Sequence, residues 1–189
     1  IKSLVYYPAY EEAYAIEHLR ITAPYRAAGI ELISGKVDGV GDPNRVLLGD
    51  AVIFQREFPK NTDLYDDIVA IARHNYKPII YELDDLLFDL PETHHHRLEN
   101  AYLNALLPMF SAIIEADLIT VPTKALKYAL LDFNPNIQVL PNYLDDSIWQ
   151  LREPKLKVDA PLTIGFMGSN SHTPDLAIIA PVIKTLLAK

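Results

Sequence analysis

Short apolar runs alternate along the chain with segments whose apolar residues recur every three or four positions. Seven runs have the length of strands: "SLVYY" (3–7), "IELIS" (30–34), "AVIFQ" (51–55), "PIIYEL" (78–83), "LITV" (118–121), "IQVL" (137–140) and "LTIGFM" (162–167). They are rich in Val and Ile and mostly lack the alternation of a half-exposed sheet, which is how parallel strands covered on both faces read. The helical stripes lie between them. Leu64, Ile68 and Ile71 form one, with Thr62 as the expected cap. Leu98, Tyr102, Ala105, Met109 and Ile113 form a longer one, which Pro108 should kink. Thr123 is placed to cap a helix through Leu131, and Thr173-Pro174-Asp175 to open one carrying Leu176, Ile179, Ile183 and Leu186. A first helix near Glu11 to Ala28 is interrupted by Pro24, and the glycines of 35–49 predict a loop where a crossover helix would otherwise sit. Strand and helix in alternation predict an α/β fold with a doubly wound, Rossmann-like parallel sheet.

The pattern also divides the chain. Residues 1–143 read as one Rossmann-like domain. Residues 144–160 are charged and contain prolines, like a linker. Residues 161–189 supply one strand, one loop and one helix, too little to bury a core alone, and so read as the start of a second, truncated domain. The opening at Ile1 likewise suggests that a little precedes it.

Composition narrows the classes. Of 189 residues half are hydrophobic, 22% are charged and none is cysteine, and the net charge is −8. An acidic chain of this kind is a poor nucleic-acid binder. The lack of cysteine removes thiolate chemistry and fits a cytosolic setting. No run is long enough to span a membrane, which leaves peripheral attachment at the inner face compatible with the pattern.

In open parallel sheets ligands bind beyond the carboxyl ends of the strands. Those ends carry Pro8-Ala9-Tyr10, Arg56-Glu57, Glu82 to Asp85, Pro122-Thr123, Pro141-Asn142 and "GSNSHT" (168–173). Asp84 and Asp85 suit a general base, a metal ligand or hydrogen bonding to sugar hydroxyls. Capping the next turn or pairing with a nearby arginine would use the same residues. In "FMGSNSHTPD" (166–175), Gly168 allows close approach and the helix start near Pro174 offers N–H groups to an anion such as a diphosphate. An ordinary strand-to-helix turn can look the same, and His172 either donates to a phosphate or stands in solvent.

Several classes are disfavoured. The run His94-His95-His96 lacks the i,i+4 spacing of a helical chelate, so it reads as a solvated helix start and no metal site is expected. "YYPAYEEAY" after the first strand has no glycine for a dinucleotide pyrophosphate. The acidic pair follows the fourth strand, unlike a receiver domain, and no GxSxG elbow occurs.

"VYYPAYEEAYAIEHLRITAPYRAAGIEL", "AVIFQRE", "IIYELDDLLFDLP", "ADLITVPTKALKYALLDFNPNIQVLPNYLD" and "LTIGFMGSNSHTPDLAIIAPVIKTLL" stand in an order that resembles bacterial GT-B glycosyltransferases, those of surface-polysaccharide and O-antigen assembly above all. The resemblance implies two Rossmann-like domains facing a cleft, with residues 1 to about 143 on the acceptor side. It implies Gly168, Ser169, Asn170 and His172 in the first loop of the donor domain, and Asn142 at the hinge side. Glu82 and Tyr10 would face the acceptor, and Asp84 and Asp85 match an acidic segment facing the cleft. Two departures stand out: the glycine pair after the first strand is absent, and so is the remainder of a donor domain, so this length of chain alone should have little transferase activity.

The implied reaction moves a sugar from a nucleoside-diphosphate donor to a hydroxyl of a glycan or lipid-linked acceptor. Backbone N–H groups would hold the diphosphate, with no cofactor and no obligatory divalent metal. Asp84 or Asp85 would be the base if the reaction inverts, and a positioning group if it retains. Two other readings compete. One is a non-enzymatic doubly wound domain binding a ligand or protein at its acidic rim, with 162–188 completing the sheet. The other is a metal-dependent phosphotransfer enzyme using Glu82, Asp84 and Asp85.

Overall fold

The computed structural model describes residues 1–10, 15–92, 94–153, 163–168 and 172–188. Strand β1 (Ser3–Tyr7) is followed by a broken helix: α1 (Ala15–Glu17), a π-helical turn over His18–Thr22, and α2 (Ala23–Ala27). Pro24 explains the break. It has no N–H for the carbonyl of Arg20 and its ring would crowd that carbonyl. The turn before it widens, with Ala23 N donating to His18 O, five residues back.

Next come β2 (Glu31–Ser34), a hairpin of β3 (Lys36–Val37) and β4 (Val40–Gly41), and a 3-10 segment Pro43–Leu48. The hairpin turns on Asp38 and Gly39, both left-handed at φ 50° and 82°, a pairing suited to tight hairpins. The predicted loop over 35–49 therefore holds no α-helix, as its glycines indicate. β5 (Ala51–Gln55), a 3-10 turn Phe58–Lys60, α3 (Thr62–His74) and β6 (Ile79–Glu82) follow. Then come a 3-10 turn Leu87–Asp89, α4 (His95–Leu98), α5 (Leu103–Glu115), β7 (Leu118–Val121), α6 (Lys124–Leu130), β8 (Ile137–Val139) and α7 (Thr173–Leu187).

Six strands form one sheet in the order β2-β1-β5-β6-β7-β8, every neighbouring pair parallel. The fold is α/β and Rossmann-like, as the pattern predicts. Its two faces are unequal. One carries Val5, Tyr7, Val52, Phe54, Ile79, Tyr81, Ile119 and Val121, packed against α3, α5 and α6 through Tyr65, Ile68, Met109, Ile113 and Leu126. Each such large side chain, fully buried, contributes about 1.5–3 kcal/mol, so this face dominates stability. The other has a thin core of Leu4, Ile21, Ala51, Ile53 and Ile80.

Some sequence expectations change. Thr62 and Thr173 are the first residues of their helices, preceded by Asn61 and His172, neither of which makes a side-chain cap bond. Thr123 does cap: its Oγ1 accepts from Leu126 N at 3.1 Å. The long stripe from Leu98 is two helices, because Asn100 takes a left-handed φ of 53° between them and leaves Leu98 exposed. The expected strand over 162–167 does not form in its described part. Residues 163–168 have no ladder partner and are exposed, and a strand exists only by pairing. α7 buries no residue. Leu162 lies outside the described residues.

Candidate functional site

The strand order reverses direction at β1: the chain moves outward to β2, then returns past β1 to β5. The crevice beyond the carboxyl ends of β1 and β5 is therefore the switch point where such sheets place ligands. Arg56, the first residue past β5, stands there in a left-handed conformation (φ 46°), which costs a residue with a Cβ roughly 1–2 kcal/mol. Two bonds hold it so: Arg56 N donates to Glu82 O at 2.9 Å, and Tyr81 Oη donates to Arg56 O at 2.7 Å.

The Arg56 guanidinium gathers the rim. Its Nε lies 3.1 Å from Glu57 Oε2 and 3.4 Å from Asp84 Oδ1, and its Nη2 donates to Tyr102 Oη at 3.3 Å. Tyr102 Oη in turn lies 3.3 Å from His96 Nδ1. Burial pushes the Asp84 carboxyl up, Arg56 pulls it back, and Asp85 pushes it up again. Burial and the neighbouring rings of His95 and His94 push the His96 imidazole down, so it is neutral near pH 7. Asp84 Oδ1 is buried and, despite the nearby Arg56 Nε, has no partner in hydrogen-bond geometry among the described residues. It is an enclosed acceptor beside the rim whose bonding capacity is not filled.

A second cluster lies below it on the thin face. Gln55, Glu82 and Thr120 stand side by side across β5, β6 and β7, all buried. From the π turn, Arg20 reaches over them with no exposed surface. Its Nε donates to Glu82 Oε1 at 2.7 Å, and its Nη1 donates to Leu140 O at 2.5 Å and Asn142 Oδ1 at 2.8 Å. Burial raises the Glu82 carboxyl to about 7 against the pull of Arg20. Gln55 lies near enough to favour the ionised form, yet Glu82 Oε2 and Arg20 Nη2 have no bond of good geometry.

The sequence-predicted site residues thus divide. Asp84 is half-buried on Arg56, while Asp85 is exposed. Tyr10 lies within reach of the same cluster: burial raises its hydroxyl, with Arg56, Glu57 and Tyr102 close enough to act on it. Glu82 is in the core rather than on the open rim, because its position in β6 points it at the thin face with Ile80. Asn142 joins Glu82 through Arg20. Gly168 sits against the His172 side chain, where an added Cβ would come within 2.8 Å of the His172 Cβ and 3.2 Å of its ring, and His172 Nδ1 contacts Asp175 Oδ2 at 2.8 Å. Among the described residues neither makes a hydrogen bond or ion pair with the rim. Ser169 and Asn170 lie outside the described residues. The His94, His95 and His96 rings pack on one another, with centroids 4.0–5.2 Å apart.

Sequence reasoning missed Arg20, Tyr102 and His96 as site residues. The one signal for Arg20 was its position four residues before Pro24. Tyr102 read as part of an apolar stripe. Two cavities adjoin these clusters. One of about 240 Å³ lies behind Tyr102. One of about 680 Å³ lies between the broken helix and residues 140–146. Among the described residues no helix is long and apolar enough to cross a membrane, and no group of three His, Cys, Asp or Glu is arranged to hold a metal. No family model matches the chain, and no curated protein matches its sequence.

Proposed function

We propose that this chain forms the acceptor-side part of a glycosyltransferase that moves a sugar from a nucleoside-diphosphate donor to a hydroxyl. The observation that carries the reading is Asp84: an acidic side chain at the switch-point rim, paired to Arg56, whose Oδ1 has no donor in bonding geometry. An acceptor hydroxyl would supply that donor. Arg56 favours the charged form against the burial that raises the carboxyl, so Asp84 can accept a proton from the attacking hydroxyl. Asp85, exposed beside it, contributes negative charge and fits a positioning role.

The donor side of the reading rests on Gly168, Ser169, Asn170 and His172 at the start of α7. Its N-terminal N–H groups suit a diphosphate. The acceptor is a glycan or a lipid-linked glycan, and the reaction runs without a metal. The location that goes with it is the cytoplasm, at the inner face of the membrane where the acceptor is lipid-linked.

The test uses the natural gene product that contains residues 1–189. Release of nucleoside diphosphate is followed with uridine-, guanosine- and thymidine-diphosphate sugars, with and without magnesium. Release from one donor without metal, reduced at least 100-fold by Asp84→Asn, is the expected result. Ligand binding without release from any donor would favour a non-enzymatic binding domain, and release only with magnesium would favour a metal-dependent enzyme.

A further inference from the structure

The cavity of about 240 Å³ behind Tyr102 has a mixed lining. Phe88, Leu103 and Leu106 are its apolar part, and Phe88 is steadied by the edge of Phe110, with ring centroids 6.2 Å apart. His96, Asn100 and Tyr102 add donors and acceptors. The volume lies below the roughly 300–1,000 Å³ of sites for drug-sized ligands, so the occupant is small. An anion is disfavoured. Asp89 lines the same space as Arg97, so the lining sets one acid against its one guanidinium. His96 is uncharged near neutral pH. A pyranose ring has the matching form, with an apolar C–H face and hydroxyls around its edge.

We infer that this cavity is a subsite for one uncharged sugar ring, stacked on Phe88 and hydrogen-bonded by His96, Asn100 and Tyr102. It deepens the glycosyl-transfer reading by making a sugar unit of the acceptor its occupant, and to that extent rests on it. Tyr102 Oη, 3.3 Å from both Arg56 Nη2 and His96 Nδ1, connects the subsite with the Arg56–Asp84 rim.

Saturation-transfer NMR with glucose, galactose, mannose and N-acetylglucosamine tests this directly, with inorganic phosphate as a counter-probe followed by its phosphorus signal. At least one sugar should receive saturation at its ring protons. Leu103→Trp, at a position 64% exposed, fills the cavity from outside and should weaken that sugar at least tenfold. Asn100→Gly keeps the left-handed backbone, removes the amide and should weaken it severalfold, which gives a second readout if Leu103→Trp folds poorly. Silence from all four sugars, binding unchanged in both variants, or phosphate binding lost in Leu103→Trp would each overturn the subsite. Sugar binding without donor turnover would sink the transferase reading and leave the subsite standing. Turnover unchanged in both variants would do the reverse.

Discussion

Arg20–Glu82 and Arg56–Asp84 are two arginine–carboxylate pairs whose acids lie two residues apart, and they are opposites. The first has no exposed surface at all, while the side chains of the second are 10% and 8% exposed. The inner pair fastens distant segments: Arg20 ties β6 to the chain after β8 through Glu82, Leu140 and Asn142. The outer pair sits at the switch point, with a strained backbone at Arg56 and an acceptor atom of Asp84 that has no bonded donor among the described residues. Both use the same chemistry. Full enclosure makes one a fastening, whose loss unsettles the fold, while the other is the pair that the proposed acceptor hydroxyl would approach.

Breaking the inner pair should have the largest effect. Arg20→Met leaves Glu82 buried without its cation and should cost about 3–5 kcal/mol, measured by urea denaturation. The double variant Arg20→Met with Glu82→Leu should recover most of that loss, since a buried ion pair replaced by apolar groups is often neutral. On the rim, Asp84→Asn should cost about 1 kcal/mol, because Arg56 keeps Glu57 Oε2 at 3.1 Å as a carboxylate partner, while turnover falls at least 100-fold.

The pH dependence sharpens the contrast. Glu82 titrates near 7 in the folded chain, above its ordinary 4.5. Between those values the folded state keeps a proton that the unfolded state has released, so stability falls as pH rises through that window. Melting midpoints from pH 4.5 to 7 should show this decline, and Glu82→Gln should flatten it. Asp84, raised in the same direction but less enclosed, should flatten it less when changed to Asn.

Smaller effects complete the series. Tyr102→Phe removes the hydroxyl between Arg56 and His96 and should cost about 1 kcal/mol. His18→Ala breaks an exposed contact with Asp145 (3.3 Å) that fastens the same segment as Arg20 from outside, and should leave the melting midpoint almost unchanged. A larger loss there would show that the two fastenings are coupled.

The strands were legible because their signal is local. "SLVYY", "AVIFQ" and "LITV" are β1, β5 and β7 residue for residue, since a parallel strand covered on both faces reads as a nearly continuous apolar run. Residues 163–167 of "LTIGFM" show the limit of that rule. Their apolar content forms no ladder, because no strand edge among the described residues meets it. The π turn was half legible: Pro24 announces an interruption, but the carbonyl it relieves and the turn it widens depend on the helix around it.

Asp84 could be singled out from its place after a strand. Its partner could not: the sequence puts Arg56 at the same rim, but pairing Asp84 with Arg56 and Glu82 with Arg20, which lies inside the expected first helix, depends on the assembled sheet. Local sequence determined which segments become strands and helices, because hydrophobic period and turn residues act over a few positions. Tertiary structure alone decided the strand order, which carboxylate is buried and which arginine meets it. Those outcomes join residues 62 positions apart at Arg20–Glu82 and 122 apart at Arg20–Asn142, and burial is a property of the assembled sheet rather than of any stretch of chain.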